Sequence, residues 1–335
     1  MEKKNAWAAQ AGMDEKIEAF AKAYCDFIDH GKTERECVSY GVKLAAGRGF
    51  EDMMAVVRAG GKLKAGDRVY VNWMNKSLVL FVVGQRPLDE GMNILGAHID
   101  SPRIDVKQNP LYEEKDIAYL DTHYYGGIKK YQWVAMPLAL HGVIVRKDGT
   151  TVTVAIGEAE GDPVFCISDL LPHLAQEQMT KDGKSLIEGE ALNLIIGSRP
   201  QEGAEKEGVK ARVLQILKAQ YGVEEEDFLS AELEIVPAGK ARDMGFDRSM
   251  ILAYGHDDRV CAYPSMRRCS TTRARRSTRC AACSPTRRRS AASAPRAWRR
   301  VTLRTSWPSS TRSRARTASW ACAARFQTAA CSPAT

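Results

Sequence analysis

Two short stretches carry the residues best able to do chemistry. In Asn93-Ile94-Leu95-Gly96-Ala97-His98-Ile99-Asp100-Ser101-Pro102 an apolar run ends abruptly in His98, Asp100 and a Ser-Pro stop. That is the pattern of a buried strand whose carboxyl end opens into a crevice, where open α/β sheets bind ligands. Period-two alternation puts His98 and Asp100 on one side of the strand. A neutral imidazole is a common zinc ligand, and a nearby carboxylate often fixes its tautomer. A lone H-x-D also fits an ordinary solvated strand end. The second stretch, Met250-Ile251-Leu252-Ala253-Tyr254-Gly255-His256-Asp257-Asp258-Arg259, has the same form. A carboxylate there is able to bridge two zinc ions, and paired metals hold a hydroxide for attack on a carbonyl. A polar loop after a strand would use the same residues.

The elements that must position these residues read as follows. Residues 13–30 place Ile17, Phe20, Ala21, Tyr24, Phe27 and Ile28 on one helical stripe. Thr33-x-x-Glu36 is a capping box that opens a second helix, stopping near Gly47 and Gly49. Val69 to Met74 and Ser77 to Val83 are β-rich runs about an Asn75-Lys76 turn, and predict a hairpin. The His98 strand follows, which makes an α/β domain with a mixed central sheet flanked by helices. Residues 104–236 read as an inserted β-rich domain. Strands are expected over 132–139, 142–145 and 151–156, about a Lys147-Asp148-Gly149 turn, with another over 231–236. Helices are expected over 169–180 and 209–220, and Gly183 to Glu207 as a surface excursion. The first domain is therefore 1–103 plus 237–265.

Composition sets the remainder apart. The 335 residues carry 49 Lys and Arg against 41 Asp and Glu, net +8, which invites a nucleic-acid reading. Yet 17 of the Arg and none of the acids fall in 266–335, so residues 1–265 carry net −9. The tail also lacks Lys, Gly, Asn, Ile and His. Cys25, Cys37, Cys166 and Cys261 have no metal or redox spacing, and Cys280-x-x-Cys283 lacks a second pair. No apolar run approaches a membrane span, and Met1-Glu2-Lys3-Lys4 leads into no signal-peptide core, so a cytoplasmic protein without membrane partners is expected.

Taken together, Gly96-Ala97-His98-Ile99-Asp100-Ser101-Pro102-Arg103, His123-Tyr124-Tyr125-Gly126-Gly127 and Tyr254-Gly255-His256-Asp257-Asp258-Arg259 resemble the aspartyl aminopeptidase family of co-catalytic zinc metallopeptidases. The likeness covers residues 1–265 in order. It implies a homo-oligomer, a dodecamer in the family, with two Zn2+ per subunit, that hydrolyses Asp or Glu from the N-terminus of a peptide. By the same resemblance His98 is the first zinc ligand and Asp100 the acid beside it. Asp258 matches the bridging carboxylate best, with Asp257 the second choice. Family members often carry a His shortly after the two glycines, near a neighbouring subunit's active site. Here Ile128-Lys129-Lys130 stands instead. Either lysine would attract an acidic substrate side chain, or simply belong to a solvated loop.

The family also needs an adjacent Glu-Glu pair, one of them the general base, then a further Asp and His. Asp258 is the last acid of this sequence, and no His follows it. A slip of reading frame near Ser265 accounts for this. Codons that specify Pro285 to Trp298 are able, from the third base of the first, to read D-K-E-E-I-G-S-V-G-A-T-G-M, preceded by A-L-R-G-L-L-A. Codon degeneracy makes this a compatible reading and not a unique one. The tail 266–335 is then an out-of-frame peptide too poor in large apolar residues to repay its conformational entropy, and the chain as written an inactive hydrolase. Two alternatives stand beside it: a non-catalytic subunit that still assembles, and an Arg-rich arm holding nucleic acid through phosphate contacts, which lacks a recognition motif.

Overall fold

The computed structural model describes residues 6–271 and 278–284. Three helices come first: α1 Ala6–Ala9, α2 Asp14–Asp29 and α3 Glu34–Ala46. Next are β1 Glu51–Asp52, α4 Met53–Arg58, β2 Arg68–Trp73, β3 Ser77–Val82 and β4 Met92–His98. A run of strands follows: β5 Arg103–Glu114, β6 Ile117–Tyr125, β7 Leu138–Val145, β8 Thr151–Ile156 and β9 Leu194–Gly197. Helix α5 Gly208–Tyr221 leads to β10 Ala231–Pro237, β11 Arg242–Met244 and β12 Met250–Leu252. Helix α6 His256–Thr271 and strand β13 Thr278–Ser284 complete the described chain. The expected α/β class, a mixed sheet with helices and a separate β-rich part, is what these elements form.

The chain divides into two compact units. The first takes residues 34–100 and 256 onward and holds a five-stranded sheet in the order β1-β2-β3-β13-β4. Strands β1 and β2 run parallel, β3 is antiparallel to both β2 and β13, and β13 is parallel to β4. The expected hairpin is β2–β3, turned at Met74 and Asn75, both left-handed (φ 52° and 53°). An Asn side chain tolerates that region, and the Asn72 side chain accepts from the Asn75 N–H at 3.0 Å to close the turn. Helix α6 packs on β3, β4 and β13. Helix α3 buries Cys37, Val38 and Ala45, close enough to β3 that a Cβ on Gly41 would stand 2.6 Å from Leu78 Cδ2.

The second unit takes residues 1–33 and 101–255 and holds a six-stranded antiparallel sheet, β8-β7-β10-β5-β6-β9. Ile104, Leu120, Leu138, Leu140, Leu194, Leu233 and Ile235 fill its core, with Leu214 and Leu217 of α5 packed against them. One glycine is obligatory there. Gly142 on β7 has φ +143°, and a Cβ would lie 2.0 Å from the Glu232 carbonyl oxygen on β10.

Several elements differ from their sequence reading. Residues 1–33, assigned with the first domain, belong to the β-rich unit, where Lys32 Nζ donates to Gly239 O at 2.6 Å and Ala241 N to Asp29 Oδ1 at 2.6 Å. No helix forms over 169–180 beyond a 3-10 turn at Gln178–Thr180. Pro172 interrupts the stripe, and Leu170, Leu171 and Leu174 are exposed, so no apolar face is buried to stabilise a helix. The strand expected from 132 begins only at Leu138, behind a 3-10 turn Lys130–Gln132. The surface excursion 183–207 contains edge strand β9 and the fully buried Leu192 and Leu194. Helix α6 continues past 265 to Thr271, burying Met266 and Cys269, and β13 lies inside the sheet, although both ranges were assigned to the tail. The remainder of the tail lies outside the described residues.

Gly142→Ala is expected to cost more than about 1 kcal/mol, because the residue must leave its left-handed conformation and clear a neighbouring carbonyl. A lowered urea midpoint for the β-rich unit checks this; an unchanged midpoint contradicts the packing.

Candidate metal centre

Strand β4 ends at His98, and the turn that opens α6 comes to the same place, because Asp257 and Asp258 depart from helical backbone angles at its start. Asp100, just past the strand, is 2% exposed. His98 Nδ1 lies 3.0 Å from the Asp100 backbone oxygen and 3.3 Å from its Oδ1. Two acceptors on one ring nitrogen hold the proton at Nδ1 in the neutral ring, which leaves the Nε2 lone pair pointing outward. On that side Asp257 Oδ1 stands 3.0 Å from Nε2. A lone pair and a carboxylate oxygen facing each other at that distance need something positive between or upon them, a proton or a metal ion. One imidazole nitrogen and one carboxylate oxygen are zinc-type donors, so the pair fits zinc chemistry. Among the described residues, no third His, Cys, Asp or Glu completes a metal-spaced set around it.

The Asp100 hydrogen bond raises the His98 pKa above its ordinary 6.5, burial works against it, and the Asp257 charge adds to the rise. Asp257 is open, with 73% of its side chain exposed, whereas Asp100 is enclosed. The two acids thus divide the work: a buried one orients the ring and a solvated one faces the open nitrogen.

Of the site residues inferred from sequence, the structure brings together His98, Asp100 and Asp257. Asp258, preferred for the bridging role, is turned elsewhere: its carboxylate bonds the Cys261 thiol and pushes that thiol's pKa up. The two acids are adjacent in sequence, and the non-helical backbone angles at the head of α6 accompany the approach of Asp257 to His98. Lys129 is exposed and Lys130 half-buried at the start of a 3-10 turn in the β-rich unit, and neither has an ion pair among the described residues. Arg259 was quoted in the motif but given no role. It is 1% exposed, and its Nε donates to Ile99 O at 2.9 Å, tying the first turn of α6 to the segment between His98 and Asp100. The signal available in the sequence was an arginine directly after two acids at the head of an otherwise apolar helix turn.

A family model for the aminopeptidase I zinc metalloproteases (M18) matches residues 27–284. A probable M18 family aminopeptidase 1 of Clostridium acetobutylicum is 56% identical over 266 residues, which is 79% of this chain and 57% of that protein. The crystal structure of an M18 family aminopeptidase from Thermotoga maritima superposes with a TM-score of 0.84 at 41% identity, covering 91% of this chain and 66% of that one. The structure of an S. cerevisiae mApe1 dodecamer shares the fold at 17% identity, with a TM-score of 0.59, over 80% of this chain and 60% of that one. The chain thus spans just under three fifths of the length of the curated relative it matches.

Two outcomes are expected of the metal-free chain. Asp100→Asn lowers the His98 pKa toward its ordinary value, read by NMR titration of the ring. A raised histidine pKa stabilises the fold below the unfolded value of about 6.5 and the benefit is lost as pH rises through the folded value. The stability deficit of Asp100→Asn from this source is therefore present in acid and fades above neutrality; a deficit that grows with pH contradicts the assignment. Arg259→Met, which keeps the bulk but removes the donor to Ile99 O, costs about 1–3 kcal/mol in urea unfolding; a neutral result contradicts the tie.

Proposed function

The chain belongs to the aminopeptidase I zinc metalloprotease (M18) family, and from that premise we propose that it carries one half of a two-zinc aminopeptidase site. The observation that carries the reading is the approach of Asp257 Oδ1 to His98 Nε2, with Asp100 behind the ring. His98 and Asp257 would hold zinc, with Asp258 supporting the turn. When bound, zinc supplies Lewis-acid polarisation of the scissile carbonyl and of the attacking water. Asp100 keeps the His98 proton on Nδ1, so that Nε2 stays available, and Arg259 fixes the distance between strand end and helix start. The substrate is a peptide whose N-terminal residue is Asp or Glu, and Lys129 and Lys130 are the cationic candidates for its side chain.

The 335-residue polypeptide lacks turnover, because the Glu-Glu pair, the further Asp and the further His are missing and two ligands do not replace the set. A proton shuttle is needed to take the proton of water and deliver it to the leaving amine, and after Asp258 no carboxylate exists to do so. The frame-slip reading gains support from the sheet. The out-of-frame heptapeptide A-L-R-G-L-L-A coincides with Thr278–Ser284, the span of β13, and D-K-E-E follows immediately. Ser284 is the parallel partner of His98, so the acid pair would emerge beside the imidazole, at the carboxyl end of the sheet where α/β sites lie.

A second reading, of a non-catalytic subunit, draws on the exposed Leu170, Leu171, Leu174 and Met179, four large apolar residues within one short segment of the β-rich unit, as a homo-oligomer would use. No helix among the described residues is long and apolar enough to cross a membrane. Specific nucleic-acid binding is not part of either reading.

The test compares the chain as written with one in which the alternative frame is restored, both assayed with zinc on Asp-, Glu- and Leu-anilides. The expected result is turnover only in the restored chain, with Asp and Glu preferred. Turnover by the chain as written refutes its inactivity, and a Leu preference in the restored chain refutes the acidic specificity.

A further inference from the structure

Pro102, which stops the His98 segment, is gripped twice within the β-rich unit. A Cβ on Gly126 would stand 3.4 Å from both its Cα and its Cβ, so the chain just past β6 packs closely on the proline. Gly126 has φ +76°, and it is the first of the two glycines of the His123-Tyr124-Tyr125-Gly126-Gly127 motif. The carbonyl is the one main-chain hydrogen-bonding group that a proline has, and the Tyr254 hydroxyl donates to it at 3.0 Å. Tyr254 is itself anchored. It packs against the core of that unit and meets the Trp133 ring edge to face, with centroids 6.5 Å apart. Trp133 is buried, so the donor hydroxyl stands on a ring with little freedom to move.

We propose that Tyr254 is a positioning residue of the metal pair: its hydroxyl bond to Pro102 O sets the spacing of the two chain segments that carry His98 and Asp257. Pro102 lies two residues past Asp100, and Tyr254 three residues before Asp257. Three residues of chain reach about 10 Å at most, too short a tether to absorb a shift at its root. Gly255, the residue between Tyr254 and α6, is fixed in a turn at φ +85°. Three ties then hold the stretches 98–102 and 254–259: His98 to Asp257, Ile99 O to Arg259 and Pro102 O to Tyr254. The first is the metal pair itself, the second lies on its helix side, and the third closes the end where the two stretches leave the β-rich unit. Without the third, the start of α6 is free to draw Asp257 away from the imidazole. The inference rests on the half-site reading and deepens it, because partners beyond the ligands govern how well a site holds its metal.

The test uses the full 335-residue chain and Tyr254→Phe, which keeps the ring against Trp133 and removes only the donor. The His98 ring signals are read by NMR at one pH above the His98 pKa, first without metal and then as Zn2+ is added. In Tyr254→Phe the metal-free ring signals are expected to move, and the Zn2+ affinity read at the same signals to fall about tenfold. The comparison variant is Thr122→Val, which removes another hydroxyl bond to a carbonyl in the same unit, from Thr122 Oγ1 to Leu192 O at 2.6 Å. It is expected to lower the urea midpoint while leaving both His98 readouts where they are. Unchanged ring signals and affinity in Tyr254→Phe overturn the proposal. So does an equal loss in Thr122→Val, which would make the effect one of general stability. A parent chain whose His98 signals ignore Zn2+ counts against the half-site reading alone, and the metal-free signals of Tyr254→Phe then decide the positioning role by themselves.

Discussion

The structure around the candidate centre depends on how one imidazole is held. Asp100 grips Nδ1 from its side chain and its backbone at once, and this decides which nitrogen of His98 is left to face Asp257. A buried carboxylate is costly unless its charge is satisfied, and the His98 ring supplies one of the contacts that Asp100 makes. The same short segment supplies Ile99 O to the buried Arg259. One tripeptide, His98-Ile99-Asp100, therefore joins strand β4 to helix α6 by the approach of His98 to Asp257 and by a main-chain acceptor. Orientation of a ligand by partners beyond it is the usual way that a metal site gains affinity and selectivity.

Much of this was legible in the sequence because the chemistry and the fold share residues. The abrupt end of an apolar run marked His98 as a strand terminus, and the β2–β3 hairpin and the antiparallel module followed from alternation and turn residues. Other parts were not legible. Residues 169–180 hold leucines at helical spacing, but periodicity says nothing about whether a face finds a partner, and here it does not. Asp257 and Asp258 are chemically alike and adjacent; only the non-helical backbone angles at the head of α6 decide that Asp257 meets His98. The grouping of residues 1–33 with the β-rich unit rests on contacts far apart in sequence, such as Lys32 to Gly239.

Strand β13 shows what composition is able to say and what it is not. An arginine-rich, acid-free tail argues against a packed domain, yet the backbone of 278–284 pairs with β3 on one side and β4 on the other. Main-chain groups are the same in every residue, so a ladder tolerates side chains that composition alone would reject. The position matters more than the composition: β13 lies between β3 and β4, and its last residue, Ser284, pairs with His98. In the reading proposed here, what should follow is an acid pair, and what the written sequence supplies is Pro285-Thr286-Arg287.

The central proposal is that this member of the M18 family carries one half of a two-metal site and that the other half is encoded in another frame. The direct measurement is the nucleotide sequence across codons 260–300, read in all three frames. The account predicts one open frame in which A-L-R-G-L-L-A coincides with residues 278–284 and runs on through D-K-E-E-I-G to further Asp and His codons. Stop codons in both other frames across that span would contradict it, and would leave the arginine-rich sequence as the gene's own product.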